Sequence, residues 1–309
     1  MTSTARIAAA DGTELATYVW SPDGPPKAIV QIAHGMAEHA ARYERFAGAL
    51  TAAGYVVYAN DHRGHGATGP LGPDHGYFAD KRGFLTVVDD LHTVTEAARA
   101  AHPGLPVFLF GHSMGSFLAR AYAAEHGSQL SGLVLSGTAG DQGLLGQVGL
   151  NLARVQSKVR GRRHTSGLLD MLSFGQYGKD FKPARTKFDW LSRDPDEVDK
   201  YVADPLCGNV FTAGFYVDLI NGLNHIHSAS TTAKVPKSLP VHLIAGTMDP
   251  VGAKSKGVEQ VAGQYRKAGL ESVTTHYYDG ARHELLNETN RDEVTADVIA
   301  WLDAHLPRT

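Results

Sequence analysis

Apolar and polar residues form two alternating patterns over the first 140 positions of this 309-residue chain. Continuous apolar runs bounded by glycine or turn residues, typical of strands buried on both faces, occupy residues 28–35, 54–61, 107–110 and 130–137. Between these runs, apolar residues recur every three or four positions, which predicts helices over 41–53, 83–104 and 116–127. Strands that alternate with helices lie parallel in one sheet, so the pattern predicts an α/β fold with a mostly parallel sheet flanked by helices.

The pattern changes after residue 140. Residues 141–235 contain helical segments and glycine-rich joints but no clear strand, and we interpret them as an inserted helical cap. Three further elements follow the cap, which are strands over 240–249 and 273–280 and a helix over 294–306. The predicted core therefore consists of residues 1–140, which open with a hairpin over 5–20, and residues 236–309.

Charge and cysteine content narrow the classes of function. The 29 Lys and Arg residues nearly balance 32 Asp and Glu residues, so no field of the whole molecule favours nucleic acid. Cys207 is the single cysteine, which excludes an intramolecular disulfide and favours a reducing, cytoplasmic location. We expect no signal peptide, because the first residues lack a basic start and an apolar run. No stretch approaches the roughly 18 apolar residues of a membrane span.

The sequence Gly-His-Ser-Met-Gly at residues 111–115 places Ser113 between a predicted strand and a predicted helix. A serine on such a sharp turn exposes its hydroxyl above the sheet, and flanking glycines leave room for the neighbouring backbone. The helix that follows directs its N–H groups towards negative charge on a substrate oxygen. Ser113 is therefore a candidate nucleophile.

A serine hydroxyl needs a base to remove its proton and an acid to orient that base. Asp249 ends one predicted strand and His283 lies just past the next, at the sheet edge where the carboxyl ends of parallel strands meet. The chain order Ser113, Asp249, His283 therefore predicts a catalytic triad. Asp279 is the rival acid, but it stands only four residues from His283, usually too close along the chain to orient the ring.

Acyl transfer also needs two backbone donors for the oxyanion of the tetrahedral intermediate. The residue after the nucleophile supplies one of them, which predicts the N–H of Met114. The second donor is expected from the loop after the strand over 28–35, at the N–H of Met36.

His62 and His65, in Asp-His-Arg-Gly-His-Gly, suggest metal binding at first sight. The sequence supplies no third and fourth ligand at a spacing typical of zinc, so we expect no metal. Asp61 and Arg63 are expected to pair and hold this loop.

Four segments together resemble the monoacylglycerol lipase and lysophospholipase branch of the α/β-hydrolases. They are HGMAEHAARY (34–43), DHRGHG (61–66), GHSMG (111–115) and GARHELLNE (280–288), and residues 188–207 resemble the lid segment of that branch. The resemblance implies an α/β-hydrolase fold and hydrolysis of a carboxylic ester, of monoacylglycerol or lysophospholipid type. It also implies an acyl-enzyme intermediate and no cofactor.

By the same resemblance, Glu38, Arg42 and His112 match positions that bind the alcohol side of the substrate. Glu38 and Arg42 also stand four residues apart at a predicted helix start, so a simple surface ion pair is an equal alternative. Met36 replaces the small residue that is usual in these lipases, which implies a narrower pocket at that point.

One helix of the cap has an apolar face formed by Leu145, Leu152, Val159 and the valines between them, followed by several basic residues. We expect this face to pack over the active site with the arginines in solvent. The alternative is a weak contact with anionic lipid surfaces.

Two other functions remain to be weighed. An aminopeptidase of the same fold would need cap carboxylates to bind the substrate ammonium, yet residues 141–235 hold 12 Lys and Arg against 10 Asp and Glu. A non-catalytic protein that binds a small ligand would not require an intact Ser, Asp and His. The expected partner is a small ester or lipid, and the sequence leaves the oligomeric state, acyl length and head group open.

Overall fold

Eight strands form one sheet in the order β1-β2-β4-β3-β5-β6-β7-β8, in a computed structural model that describes residues 2–69, 71–72, 75–173 and 175–307. The strands are β1 (Thr2–Ala8), β2 (Glu14–Trp20), β3 (Ala28–Ala33), β4 (Tyr55–Asn60), β5 (Val107–His112), β6 (Gly132–Ser136), β7 (Val241–Gly246) and β8 (Val273–Tyr278). β2 pairs antiparallel with β1 and β4, and all later pairs are parallel. The predicted mostly parallel α/β sheet is confirmed.

Helices cover both faces of this sheet because β3 to β7 are buried along their whole length. The described α-helices are α1 (Glu44–Ala52), α2 (Gly83–Ala101), α3 (Met114–His126), α4 (Gly143–Arg160), α5 (Gly167–Ser173), α6 (Pro195–Ala203), α7 (Ala213–His227), α8 (Ala229–Lys234), α9 (Lys256–Lys267) and α10 (Arg291–Ala304). The apolar residues of α1 and α10 pack on one face. Those of α2, α3 and α9 pack on the other.

In the described part of the segment between β6 and β7, the regular elements are helices joined by turns and loops, and the one β contact is an isolated bridge between Thr165 and Thr212. Its helix α7 packs closely against α2 of the core at Gly222. A side chain at this position would not fit, because a Cβ there would collide with the ring of Phe84. The division into core and cap at residues 141 and 235 stays a prediction.

The apolar face of α4 does not pack over the active site as expected. Leu145 is 84% exposed and Val159 is 77% exposed, while the helix buries only Leu150 and Ala153. Those two residues lie on a different side of the helix, and that side packs against α7. The predicted face therefore meets solvent. Among the described residues, no helix combines the length and hydropathy needed to cross a bilayer.

Three neutral imidazoles fasten the loops that follow β3 and β4. His34 accepts a hydrogen bond from the N–H of His62 over 2.9 Å, and the His62 ring bonds the carbonyl oxygen of His34. The His65 ring bonds the carbonyl oxygen of Arg63 and packs on Phe211. All three histidines are fully buried, and burial lowers their pKa values well below the ordinary value.

These histidines predict a loss of stability in mild acid. Above pH 6.5 both the folded and the unfolded chain keep them neutral, but below it only the unfolded chain takes up the protons. Each group should then lower the free energy of unfolding by about 1.4 kcal/mol per pH unit until its folded pKa is reached. Urea titrations between pH 7 and pH 5 measure the slope.

The matched variants are His65→Phe, which removes one buried imidazole, and His276→Gln, which changes an exposed one. We expect a shallower pH dependence in His65→Phe and an unchanged one in His276→Gln. An equally steep dependence in His65→Phe would contradict this account.

Candidate active site

Ser113 lies on a strained turn between β5 and α3, with φ at 51° and ψ at −121°. A residue other than glycine rarely adopts a positive φ, and here the N–H of Ser113 is fixed by the carbonyl oxygen of Ser136 on the neighbouring strand over 2.9 Å. Side chains at the flanking positions would collide with backbone, at Gly111 with the carbonyl of Gly115 and at Gly115 with that of Ala33. The sequence Gly-x-Ser-x-Gly therefore permits this turn.

His283 and Asp249 meet at the carboxyl ends of β8 and β7. The Nδ1–H of His283 donates to a carboxylate oxygen of Asp249 over 3.0 Å, and the two residues are 2% and 0% exposed. Asp249 also accepts the N–H of Val251 over 2.9 Å. The rival Asp279 instead accepts a hydrogen bond from Thr247 at the surface. The structure thus pairs His283 with the predicted acid.

The charge of this pair decides the proton affinity of the imidazole. Burial lowers the pKa of His283, but the adjacent Asp249 carboxylate outweighs burial, and the net pKa is raised above the ordinary value of 6.5.

Gly137, which has a φ of 60°, lies directly beside the His283 ring. A Cβ at this position would be 3.0 Å from the Cε1 atom of the ring. The imidazole therefore occupies a close-fitting space.

Aromatic rings and cap backbone enclose His283. The ring centroid of Trp190 lies 5.1 Å from that of His283, and the centroid of His112 lies 4.8 Å away. The N–H of Glu284 donates to the carbonyl oxygen of Leu191 over 2.7 Å. The segment that carries Trp190 and Leu191 therefore holds the loop after β8 in place.

The two predicted oxyanion donors flank the turn at Ser113. Met114 is the first residue of α3, so its N–H has no acceptor within the helix. Met36 lies in the loop after β3, and a Cβ on the preceding Gly35 would be 3.3 Å from the Cβ of Ser113. Met36 and Ser113 line the same cavity.

A buried ion cluster joins this loop to the loop of His283. Arg42 donates to Glu38 over 2.6 Å and to both carboxylate oxygens of Glu284 over 2.8 Å. The other oxygen of Glu38 accepts the N–H of Gly35 over 2.5 Å and the hydroxyl of Tyr43 over 2.8 Å. Glu38 and Arg42 form the ion pair that the sequence offered as an alternative to substrate binding. The pair is buried, however, rather than at the surface.

The Glu284 carboxyl stays ionised in this cluster. Burial raises its pKa, but the Arg42 guanidinium lowers it further, to about 2. Arg42 itself has a pKa well above its ordinary value, because the two carboxylates outweigh the effect of burial. Two carboxylates and one cation therefore leave a net negative charge.

The cavity over Ser113 has a volume of about 220 Å³. Its polar end is formed by Glu38, Glu284 and His112, and Arg42 lies behind them, against a second cavity of about 20 Å³. Its remaining wall is mainly apolar and includes Met36, Met171, Phe188, Trp190, Leu191 and Tyr201, with the oppositely charged Asp170 and Lys187 also on it. Such a cavity fits a molecule with one polar and one apolar end.

Sequence reasoning missed two contributors to this site. Glu284 stands next to His283 in the segment GARHELLNE, and its position there could have identified it as a cavity residue. Trp190 gave no signal beyond its place in the lid-like segment 188–207.

Comparisons with known proteins place this geometry in a family. The model of the family described as "Serine aminopeptidase, S33" matches residues 24–290. Monoacylglycerol lipase of Mycolicibacterium smegmatis is 33% identical over 97% of this chain and 96% of its own length. Human monoglyceride lipase is 32% identical over 94% of this chain and 85% of its own length.

A solved structure agrees with these relatives. The thermostable carboxyl esterase from Bacillus coagulans in complex with glycerol superposes with a TM-score of 0.92, at 32% identity, over 99% of both chains. The chain therefore belongs to the serine aminopeptidase S33 family of α/β-hydrolases and, within it, is a serine ester hydrolase of the monoacylglycerol lipase type.

Proposed function

We propose that this enzyme hydrolyses monoacylglycerols to a fatty acid and glycerol. The observation that carries the proposal is the net negative charge at the polar end of the cavity, where Glu38 and Glu284 share Arg42. Glycerol is neutral and can donate hydroxyl hydrogen bonds to carboxylates, whereas an anionic head group such as the phosphate of lysophosphatidic acid would be repelled. The two relatives named for monoglycerides, and the esterase with glycerol, support the same alcohol.

In the proposed mechanism, the Ser113 hydroxyl attacks the ester carbonyl while His283 accepts its proton. Asp249 orients the imidazole and stabilises the imidazolium that forms. The N–H groups of Met36 and Met114 bind the oxyanion, and the loss of one such donor typically costs about 3 kcal/mol of transition-state stabilisation. His283 then protonates the departing glycerol oxygen.

The second half of the reaction regenerates the serine. His283 removes a proton from a water molecule, which attacks the acyl-Ser113 carbonyl and releases the fatty acid. The same two N–H groups bind the second oxyanion. No other group is needed, so the proposal keeps the reaction free of cofactors.

Two residues from the ion cluster have different roles in this proposal. Glu38 lines the alcohol end of the cavity and also holds the N–H of Gly35, so it fixes the loop that presents Met36. Arg42 lies behind Glu38 and Glu284 and acts as a positioning residue. His112 contributes its ring to the cavity wall beside His283.

A substrate panel tests the proposed function. Monoacylglycerol, lysophosphatidylcholine and lysophosphatidic acid with one common acyl chain should be compared by kcat/KM, with proline naphthylamide as the peptidase substrate. Like charges a few ångströms apart near a protein surface repel by on the order of 1–4 kcal/mol, so monoacylglycerol should exceed lysophosphatidic acid by at least about fivefold. Ser113→Ala, which leaves the turn but lacks the nucleophile, is the inactive control.

Faster cleavage of lysophosphatidic acid than of monoacylglycerol would disprove the proposed head group. Faster cleavage of proline naphthylamide than of monoacylglycerol would favour the aminopeptidase alternative. Wild-type turnover by Ser113→Ala would overturn the mechanism itself.

The raised pKa of His283 predicts the pH profile of hydrolysis. Only the neutral imidazole accepts the serine proton, so kcat/KM for a soluble p-nitrophenyl ester should rise with pH through a pKa above 6.5. Asp249→Asn removes the carboxylate that raises this pKa. The remaining activity should be lower by on the order of 10⁴, and its profile should shift to lower pH.

A profile that falls as pH rises through neutrality would be incompatible with His283 as the base. An unshifted profile in Asp249→Asn would assign the raised pKa to another group.

The cap is proposed to bring the enzyme to a lipid surface. The exposed apolar side chains Leu144, Leu145, Val148, Val155 and Val159 of α4, together with Leu168, Met171 and Leu172 of α5, form what we name the cap patch. Met171 also lines the cavity, so the patch reaches the entrance for an acyl chain. The exposed basic residues Arg154, Lys158 and Arg160 lie on the same helix and favour an anionic lipid surface.

Vesicle binding tests the cap patch. Val148→Ser with Val155→Ser should lose co-sedimentation with phosphatidylcholine vesicles that contain phosphatidylserine, and should hydrolyse vesicle-borne monoacylglycerol more slowly, while a soluble ester is cleaved at the wild-type rate. Val202→Ser is the matched control, because Val202 is 50% exposed on α6, outside the patch.

Two results would contradict a lipid contact through α4. One is the absence of salt-sensitive binding by the wild type, and the other is an equal loss of binding in Val202→Ser.

A reducing, cytoplasmic location stays a proposal that rests on the single cysteine.

A further inference from the structure

Three side chains that can bind metals converge at the junction of the Met36 loop and the cap. His39 lies just before the helical turn Ala40–Tyr43, Asp204 directly follows α6, and Cys207 lies three residues later. The Nε2 atom of His39 is 2.9 Å from a carboxylate oxygen of Asp204. One atom each of His39, Asp204 and Cys207 lie within 4.8 Å of one another, and His39 and Cys207 are buried.

This set of donors suits zinc better than other divalent ions. Thiolate, imidazole and carboxylate are the three ligand types that zinc accepts together, whereas magnesium and calcium prefer oxygen alone. Zinc binds these atoms at about 2.0–2.3 Å in a tetrahedron, which places neighbouring ligands roughly 3.5 Å apart. A shift of the Cys207 sulfur or the His39 ring by about one ångström would bring ligand atoms that lie within 4.8 Å of one another to this spacing. Asp204 is half-buried, so water can reach a fourth position.

The carboxylates around the site outnumber its one permanent cation, Arg42, although Arg42 is the strongest single charge acting on Cys207. Glu38, Glu284 and Arg42 together carry a net negative charge next to Cys207, and Asp204 adds a second. Arg42 is the cation that opposes binding, but both of its neighbours are carboxylates at hydrogen-bond distance. Burial keeps the Cys207 thiol protonated in the absence of a metal by raising its pKa.

We propose that His39, Asp204 and Cys207 bind one zinc ion that inhibits the enzyme. Binding forms Zn–S, Zn–N and Zn–O bonds, releases the thiol proton to solvent and leaves the imidazole proton on Nδ1 of His39. Nothing is oxidised or reduced. The sequence predicted no metal because these residues are separated by 165 positions, and His62 and His65, the histidines it considered, are not part of the site.

Inhibition follows from what the site connects. The hydroxyl of Tyr201 and the N–H of Gly208 both donate to the carbonyl oxygen of Ala37, over 2.8 and 2.9 Å. Ala37 adjoins the proposed donor Met36, and Gly208 lines the cavity. A zinc ion would add three metal–ligand bonds to these two hydrogen bonds and fix the cap segment to the loop that carries Met36, so we expect any step of turnover that needs the two to separate to be slowed.

Cobalt provides a spectroscopic test of the site in the full-length chain. Because Cys207 is the single cysteine, any near-ultraviolet band from thiolate bound to Co²⁺ must come from it. We expect the band in the wild type and its displacement by one equivalent of Zn²⁺. It should be absent in Cys207→Ser and weakened in His39→Gln and Asp204→Asn. His276→Gln, an exposed histidine elsewhere, should behave as the wild type.

The absence of a band in the wild type would overturn the proposal, and so would a band of equal strength in both His39→Gln and Asp204→Asn. Thermal melting curves show whether each variant is folded. This test uses no substrate, so its outcome does not depend on the proposed reaction.

Hydrolysis of a soluble p-nitrophenyl ester tests the inhibition. Zn²⁺ should abolish wild-type turnover, a chelator should restore it, and Cys207→Ser should keep its basal activity in the presence of the metal. Zinc that binds by the cobalt test but leaves turnover unchanged would disprove inhibition through this site.

Discussion

One buried guanidinium, that of Arg42, joins the two loops on which the active site depends. Glu38 belongs to the loop that carries Met36, and Glu284 directly follows His283, so the ion cluster sets the distance between the proposed oxyanion donor and the base. Neither loop is part of the sheet. Removal of one member from a buried ion pair typically destabilises a protein by about 3–5 kcal/mol, because the remaining charge stays buried without a partner. The ion cluster is therefore a structural constraint as well as a wall of the cavity.

Much of the fold followed from local patterns. Apolar runs identified the central strands because each is buried on both faces, and Ser113, Asp249 and His283 could be placed at strand ends because parallel strands share one edge. The choice of Asp249 over Asp279 rested on a separate argument, that Asp279 stands only four residues from His283 along the chain, and the structure pairs His283 with Asp249. These predictions needed only the order of the elements along the chain.

The features that the sequence did not predict depend on contacts between distant positions. Arg42 and Glu284 are 242 residues apart, and no local period indicates that they meet. The apolar period of α4 predicted a buried face, but the helix packs on α7 through Leu150 and Ala153, because tertiary packing decides which side of a helix is covered. Helix α9 was not predicted, although its buried residues Val258, Val261, Ala262 and Tyr265 recur at the helical spacing of three and four positions.

The position of Met171 has a consequence for how the enzyme would respond to its substrate. This side chain is 55% exposed and also lines the cavity, so an acyl chain could pass from a lipid layer to Ser113 without crossing water. For an enzyme that takes its substrate directly from a lipid layer, the rate follows the mole fraction of substrate within the layer rather than its concentration per volume. Inert lipid added to the layer would then dilute the substrate in two dimensions and lower the rate of hydrolysis.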